Sequence, residues 1–201
     1  MGRREENKLD KRRRIDAAGL QELLAAGYTA ATVERIAERA DVARGTFYLY
    51  YADKHALFAD VVGRFYTPLI QAIAGARDAL TAGADPPTIY QTLGAALAAT
   101  VAGDPDGARL VLRELRGAGP GGDAVRQWSA QVDALTADIL ADAVARGLLR
   151  PHDTATVALA ISGSVERLAW SWLQGEAPRD PVAATLELIG LFTFGLAASA
   201  P

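Results

Sequence analysis

Gly27-Tyr28-Thr29-Ala30-Ala31-Thr32-Val33-Glu34-Arg35-Ile36-Ala37-Glu38-Arg39-Ala40-Asp41-Val42-Ala43-Arg44-Gly45-Thr46-Phe47-Tyr48-Leu49-Tyr50-Tyr51-Ala52-Asp53-Lys54 reads as two short helices joined by a tight turn. Ile36, Ala37 and Ala40 share one helical face, and Ala37 is small enough for a second helix to cross closely. The first helix ends at Asp41, a residue that tolerates the left-handed backbone of a tight turn. Val42 fills the angle between the helices. The second helix starts at Arg44. It turns Phe47 and Tyr51 inward, one turn apart, and Arg44, Thr46, Tyr48, Leu49 and Tyr50 outward. A short helix that displays arginine, threonine and tyrosine, with a positive partial charge at its N-terminus, suits a groove lined by phosphates.

Helical periodicity continues in both directions. The pattern predicts helices near residues 6–26, 32–40, 44–51, 54–81, 86–102, 105–117, 120–147, 153–174 and 181–198. Asp85-Pro86, Asp104-Pro105 and Asp180-Pro181 each offer a capping carboxylate followed by a proline whose missing N–H costs nothing at a first helical position. Gly119-Pro120 is a similar break. Nine helices and no strands define an all-α chain. A helix-turn-helix, three-helix domain is expected over residues 1–55, and a C-terminal helical domain over 56–201. The helices near 153–174 and 181–198 are apolar on more than one face, through Val157, Leu159, Ile161, Val165 and Leu168 on one and Leu186, Ile189, Leu191 and Phe192 on the other. A helix apolar on two faces must bury both. A chain of this size has little room to surround two long helices, so these two helices are expected to build a homodimer. The alternative is a hairpin buried within a monomer.

Charge is unevenly spread. Net charge is −3, yet residues 1–14 carry seven Lys and Arg against three acids, and residues 61–201 carry ten arginines against fourteen acids. One basic end is the asymmetry expected where one end meets phosphate; a solvated terminus is the plainer reading. The absence of cysteine excludes disulfides and the usual zinc sites, and fits a reducing cytoplasm. The two histidines, His55 and His152, have no evident base-and-orienter arrangement, and no glycine-rich phosphate loop occurs. No catalytic residue, metal site or cofactor is therefore expected, and the chain is not read as an enzyme. The charged N-terminus is not a signal peptide. Val182 to Ser199 is apolar apart from Glu187. The capping Asp180-Pro181 and the internal carboxylate point to a buried or interface helix, not a membrane span.

The quoted stretch resembles the DNA-binding domain of the TetR family of bacterial transcription regulators. The family pattern is a helix ending in Ile-Ala, a short turn, Gly-Thr-aromatic-Tyr, then an aromatic and a lysine. Here it is Ile36-Ala37, Val42, Gly45-Thr46-Phe47-Tyr48, Tyr51 and Lys54. The resemblance implies that Arg44 reads a base edge, most simply guanine O6 and N7. Gly45 would let backbone approach the DNA beside Leu49. Thr32, Thr46, Tyr48 and Tyr50 would donate to phosphates, Lys54 would pair with one, and Arg12 to Arg14 would track the backbone. Three positions depart from the pattern: Asp41 replaces the turn glycine, Ala43 a capping serine or threonine, and His55 a glutamate. In the second half the resemblance rests on length, helicity and the two last helices. It implies a small-molecule site whose occupation changes the spacing of two heads, with Tyr66, Tyr90, Arg113, Glu114, Trp128, Glu166 and Trp170 as candidate contacts; for Trp128, in register with Val125, Val132, Leu135 and Ile139, core packing is the simpler reading. The function implied is a ligand-responsive regulator, most simply a repressor that binds a palindromic double-stranded DNA operator as a homodimer and is released by a small, largely apolar effector. Control by a protein partner or by oligomerisation is the alternative, and an all-helical enzyme lies further off.

Overall fold

The structure is a computed structural model that describes residues 2–176 and 180–196. Among these residues there are nine α-helices and no strand: α1 Arg3–Ala30, α2 Val33–Arg39, α3 Arg44–Phe47, α4 Lys54–Thr81, α5 Pro86–Gly103, α6 Pro105–Leu115, α7 Pro120–Ala145, α8 Thr154–Leu173 and α9 Pro181–Leu196. The expected all-α order is found. The last two residues of the helix expected to end at 198 lie outside the described residues.

Caps set several of the boundaries. Thr32 Oγ1 accepts the Arg35 N–H at 3.3 Å and starts α2. Asp85 accepts the Thr88 N–H and precedes a proline at the first position of α5. Asp153 accepts the N–H groups of Ala155 and Thr156 and starts α8. Each satisfies donors that a helix N-terminus leaves without internal partners. The bonds from Thr156 also hold the Asp153 carboxyl below its ordinary value. α1 is longer than the expected 6–26 because a kinked turn is fused to its end: Gly27 sits at φ 80°, ψ 163°. Only glycine adopts such backbone without strain.

The chain forms two compact units. The first comprises Met1–Arg64 with Asp106–Arg126, the second Phe65–Pro105 with Gln127–Pro201. In the first unit Ile15, Leu23, Ile36, Phe47, Leu57, Phe58, Leu110 and Val125 are fully buried. Each contributes roughly 1.5–3 kcal/mol of apolar transfer energy. In the second, Ile73, Ala76, Leu80, Ile89, Ile139, Leu140, Ala143, Leu149 and Ala158 form the core. Arg77 ties α4 to α7 through Asp142 (3.1 Å) and Asp138 (3.4 Å), and Arg146 donates to the Leu80 carbonyl at 2.8 Å. α5 packs on α9 and α8 on α9. Gly94 is what allows the first approach: a Cβ there would lie 2.9 Å from Ile189 Cδ1 and 3.0 Å from Leu186 Cδ2. Within one chain α8 buries only Ala158 and Leu173, while Leu159 and Leu191 are 61% and 72% exposed. No helix among the described residues is long and apolar enough to cross a membrane.

Candidate nucleic-acid interface

α2, the turn and α3 form one packed corner. Ile36, Ala37 and Ala40 are buried beneath Phe47 and Tyr51, which also lie in the interior, as their spacing requires. Asp41 turns the chain with φ 50°; no other described non-glycine residue has positive φ. Aspartate tolerates this backbone better than most residues but is still strained in it. Arg14 offsets the strain. Its Nη2 donates to the Asp41 carbonyl at 2.6 Å and to Oδ2 at 2.8 Å. This explains how an aspartate replaces glycine at the turn. Ala43 makes no side-chain cap for α3. The α-helical part is shorter than the expected 44–51. It ends at Phe47, and Leu49 then donates to Thr46 in a tighter turn while Tyr51 still reaches Phe47.

The outer face of this corner carries Arg44, Gly45, Tyr48 and Leu49, all exposed, with Thr46 half-buried. Leu49 is 79% exposed. A Cβ on Gly45 would meet nothing within 4 Å. No packing requirement calls for glycine there, although glycine weakens a helix by about 1 kcal/mol relative to alanine. Arg44 Nη1 pairs with Glu34 Oε1 at 2.8 Å, and Nη2 donates to the Tyr48 hydroxyl at 3.3 Å. These two partners, Tyr48 first, raise the Arg44 pKa. Thr32 and Tyr48 both act as acceptors inside the protein, which leaves their own hydroxyl protons for an outside acceptor.

Two residues expected to face phosphate are held by the protein's own backbone. The Tyr50 hydroxyl donates to the Lys8 carbonyl at 3.0 Å. The Lys54 ammonium donates to the carbonyls of Tyr28 (2.6 Å), Ala31 (2.8 Å) and Thr29 (3.3 Å), and lies 4.7 Å from the Tyr28 ring centre. Three protons meet three carbonyls at the end of α1. Lys54→Met is therefore expected to lower stability by about 1–2 kcal/mol while leaving the salt dependence of DNA binding unchanged. Urea unfolding and salt titrations check this; a flattened salt slope with unchanged stability would restore the phosphate role. Arg12, expected to follow the DNA backbone, lies 3.7 Å from Asp60 and 3.9 Å from Asp16.

Those two aspartates flank the Tyr51 hydroxyl, Asp16 at 2.6 Å and Asp60 at 2.8 Å. One phenolic proton serves both, donated to one at a time. Arg64 balances the charge at 2.7 Å from Asp16 and 3.6 Å from Asp60. Burial first, then the hydrogen bonds to the aspartates and their charges, pushes the Tyr51 pKa well up. A raised folded value stabilises fully below the unfolded tyrosine pKa near 10 and is lost as pH climbs through the folded value. Stability is thus expected to fall from about pH 10 upward. Tyr51→Phe should cost about 1 kcal/mol at neutral pH and shrink the alkaline loss, as read from denaturation midpoints against pH.

Two residues that sequence reasoning passed over, Glu22 and Glu34, hold the corner in place together with Arg14, which was expected to track the DNA backbone and is tied to Asp41. Glu22 is only 2% exposed and pairs with Arg39 at 3.2 Å and Arg35 at 3.6 Å, tying α1 to α2. The signal was present. Glu22 lies in helical register with the buried Ile15 and Ala18, so a carboxylate there needs a cation, and Arg35 and Arg39 stand one turn apart on α2.

The residues expected at a small-molecule site divide between the two units. In the second unit Tyr66 stacks on Trp128, ring centres 6.0 Å apart and planes within 8°. Burial, then the charges of Glu166 and Asp133, push the Tyr66 pKa up. Tyr90, Glu166 and Trp170 are half-buried in the same unit, and burial raises Tyr90. Arg113 and Glu114 lie in the first unit and serve the Gly27 kink. Arg113 donates to the carbonyls of Leu23 (2.6 Å) and Leu24 (2.7 Å), and Glu114 accepts the Tyr28 N–H at 3.3 Å. Among the described residues no group of three or more His, Asp or Glu is placed to hold a metal ion.

With this geometry in place, comparison with known families matches residues 15–61 to the bacterial regulatory proteins of the tetR family. This N-terminal segment is that of a TetR-family DNA-binding domain. The match covers the whole α2–turn–α3 corner, with Asp16 and Glu22 of α1 and Asp60 of α4, and marks it as the helix-turn-helix of DNA-binding transcription regulators. Solved structures of transcription regulators share the fold over nearly the full length. The TetR family transcriptional regulator PfmR of Thermus thermophilus is 16% identical, with a TM-score of 0.71 over 94% of this chain and 100% of that one. The regulator FadR of Bacillus subtilis, in complex with stearoyl-CoA, is 21% identical, with a TM-score of 0.72 over 91% and 98%. Thermus thermophilus FadR, a TetR-family transcriptional repressor in complex with lauroyl-CoA, is 24% identical, with a TM-score of 0.66 over 94% and 98%. No curated protein matches the chain at a significant level.

Proposed function

We propose that this protein is a cytoplasmic TetR-family repressor that binds a palindromic operator as a homodimer and is released by a small, largely apolar effector. The observation that carries the reading is the outer face of α3. Arg44, Tyr48 and Leu49 stand exposed around Gly45, whose missing side chain leaves open space, on a corner anchored from beneath by Phe47, Tyr51 and Glu22. Residues 1–55 are the DNA-binding domain in this reading, and 56–201 the effector-binding and dimerisation domain. The exposed Leu159 and Leu191 on α8 and α9 support dimerisation through those helices, because a soluble monomer gains nothing from such a face. A dimer would set its two heads one helical turn apart, about 34–36 Å. Tyr66, Tyr90, Trp128, Glu166 and Trp170 are the proposed effector contacts, and acyl-CoA thioesters, named in the two FadR structures, are the first class to try, with the acyl chain as the apolar part and the phosphate-bearing head as a polar one.

Selection of binding sequences from a randomised duplex pool tests the reading, together with light scattering for a mass of twice 21.2 kDa. The expected result is an enriched palindrome, bound by a dimer and released by an acyl-CoA at micromolar concentration. A protein that enriches no sequence overturns the regulator reading. One that binds acyl-CoA without any change in operator affinity overturns the effector part, since a ligand shifts an equilibrium only by its differential affinity.

A further inference from the structure

Glu34 places a negative charge on the face that the DNA-binding reading turns toward phosphate. A carboxylate in the first turn of α2 favours that helix, but the same would hold for one pointing elsewhere. Here Glu34 Oε1 lies 2.8 Å from Arg44 Nη1, with the two side chains 56% and 61% exposed. From the other side the Tyr48 hydroxyl accepts from Arg44 Nη2 at 3.3 Å, and the guanidinium carbon lies 5.8 Å from the Tyr48 ring centre. The guanidinium is held between two helices before any DNA arrives. These ties use two of its five N–H donors, and the remaining three suffice for a paired contact with a base edge.

We infer that Glu34 is a specificity-determining positioning residue: its carboxylate orients the Arg44 guanidinium toward a base edge and cancels that arginine's attraction to phosphate. This rests on reading α3 as the recognition helix. An unpaired arginine on a groove-facing helix neutralises a phosphate on any duplex and releases a counterion whatever the sequence. Paired at 2.8 Å, Arg44 brings almost no net charge. Guanine O6 and N7 accept hydrogen bonds through local dipoles, and that interaction survives the pairing. Arg44 then adds discrimination without adding sequence-independent affinity. The exposed pair contributes little to folding, so its worth lies in the geometry and the charge it removes.

The test uses the full-length protein, a duplex selected by the wild type from a randomised pool, and a scrambled duplex of the same composition. Glu34→Gln, Arg44→Ala and the double variant are titrated by fluorescence anisotropy over a range of salt. Glu34→Gln is expected to bind the scrambled duplex up to about eightfold more tightly near 0.1 M salt, with a log–log salt slope steeper by about 0.9. It should gain less on the selected duplex, so selectivity falls. A repeated selection with Glu34→Gln should show relaxed preference at one base position, a readout that a merely structural role would leave alone. In the Arg44→Ala background the same substitution should leave base preference unchanged. A selective wild type whose Glu34→Gln variant keeps the same selectivity and the same base preference overturns this inference alone. A wild type that enriches no sequence overturns the recognition-helix reading and this inference with it.

Discussion

Arg44→Ala is expected to weaken binding to the selected operator by about 1–3 kcal/mol, roughly 5- to 150-fold, with a smaller loss on scrambled DNA. The asymmetry follows from what the arginine does in each complex. On the operator the variant loses two hydrogen bonds to a base edge, and the desolvated edge is left without partners. On scrambled DNA it loses an arginine whose charge Glu34 already balances at 2.8 Å, so little counterion release is forfeited. The Tyr48→Phe variant separates the arginine from its support. It removes the hydroxyl that accepts from Arg44 at 3.3 Å but keeps the ring beneath the guanidinium, and should cost about 1 kcal/mol or less. Equal losses for Arg44→Ala on operator and scrambled duplexes would remove Arg44 from base reading and leave it a phosphate contact. The variant should fold normally, because Arg44 is exposed and Glu34 and Tyr48, which hold it, are exposed as well.

What the sequence made legible here follows a physical division. Helix positions were readable because caps and periodicity are local: Asp85-Pro86 and Asp153 start α5 and α8 within a residue of expectation. The sorting of the aromatics was readable for the same reason, since Phe47 and Tyr51 lie one turn apart and Tyr48 does not share their face. What was not readable concerns long polar side chains whose partners are far along the chain. Tyr50 reaches back 42 residues to Lys8, Lys54 reaches 26 to Tyr28, and Arg113 reaches 90 to Leu23. All three donate to main-chain carbonyls of α1, and for Lys54 and Arg113 those carbonyls flank its kink. A break in a helix creates unsatisfied backbone acceptors, and buried acceptors must find donors. Gly27 was visible as a glycine in a helical run. That it would break the ladder and draw two cations from α4 and α6 depended on the tertiary fold.

The same logic yields the largest expected stability effect. Arg113→Ala should destabilise the protein by about 2–3 kcal/mol, read from the shift of the urea unfolding midpoint at constant slope. The arginine makes two short charge-assisted bonds, 2.6 Å to the carbonyl of fully buried Leu23 and 2.7 Å to that of Leu24. Its Nη2 also lies 3.1 Å from Glu114 Oε1, on a carboxylate side chain only 13% exposed. Alanine would strand both carbonyls and leave that carboxylate with the Tyr28 N–H but without its cation. Each charged hydrogen bond alone is worth roughly 1.5–3 kcal/mol. The sum is discounted because the Arg113 side chain is 37% exposed, so water can replace part of what is lost. Glu114→Gln is the matched control. It keeps an acceptor for the Tyr28 N–H and removes the charge, and should cost about 1 kcal/mol or less. If Arg113 instead served an effector, alanine would leave the midpoint within about 0.5 kcal/mol of wild type, as for most exposed substitutions, and would alter only the effector titration. A stability loss with unaltered effector affinity would assign Arg113 to the support of the DNA-binding head, where its two carbonyl bonds place it.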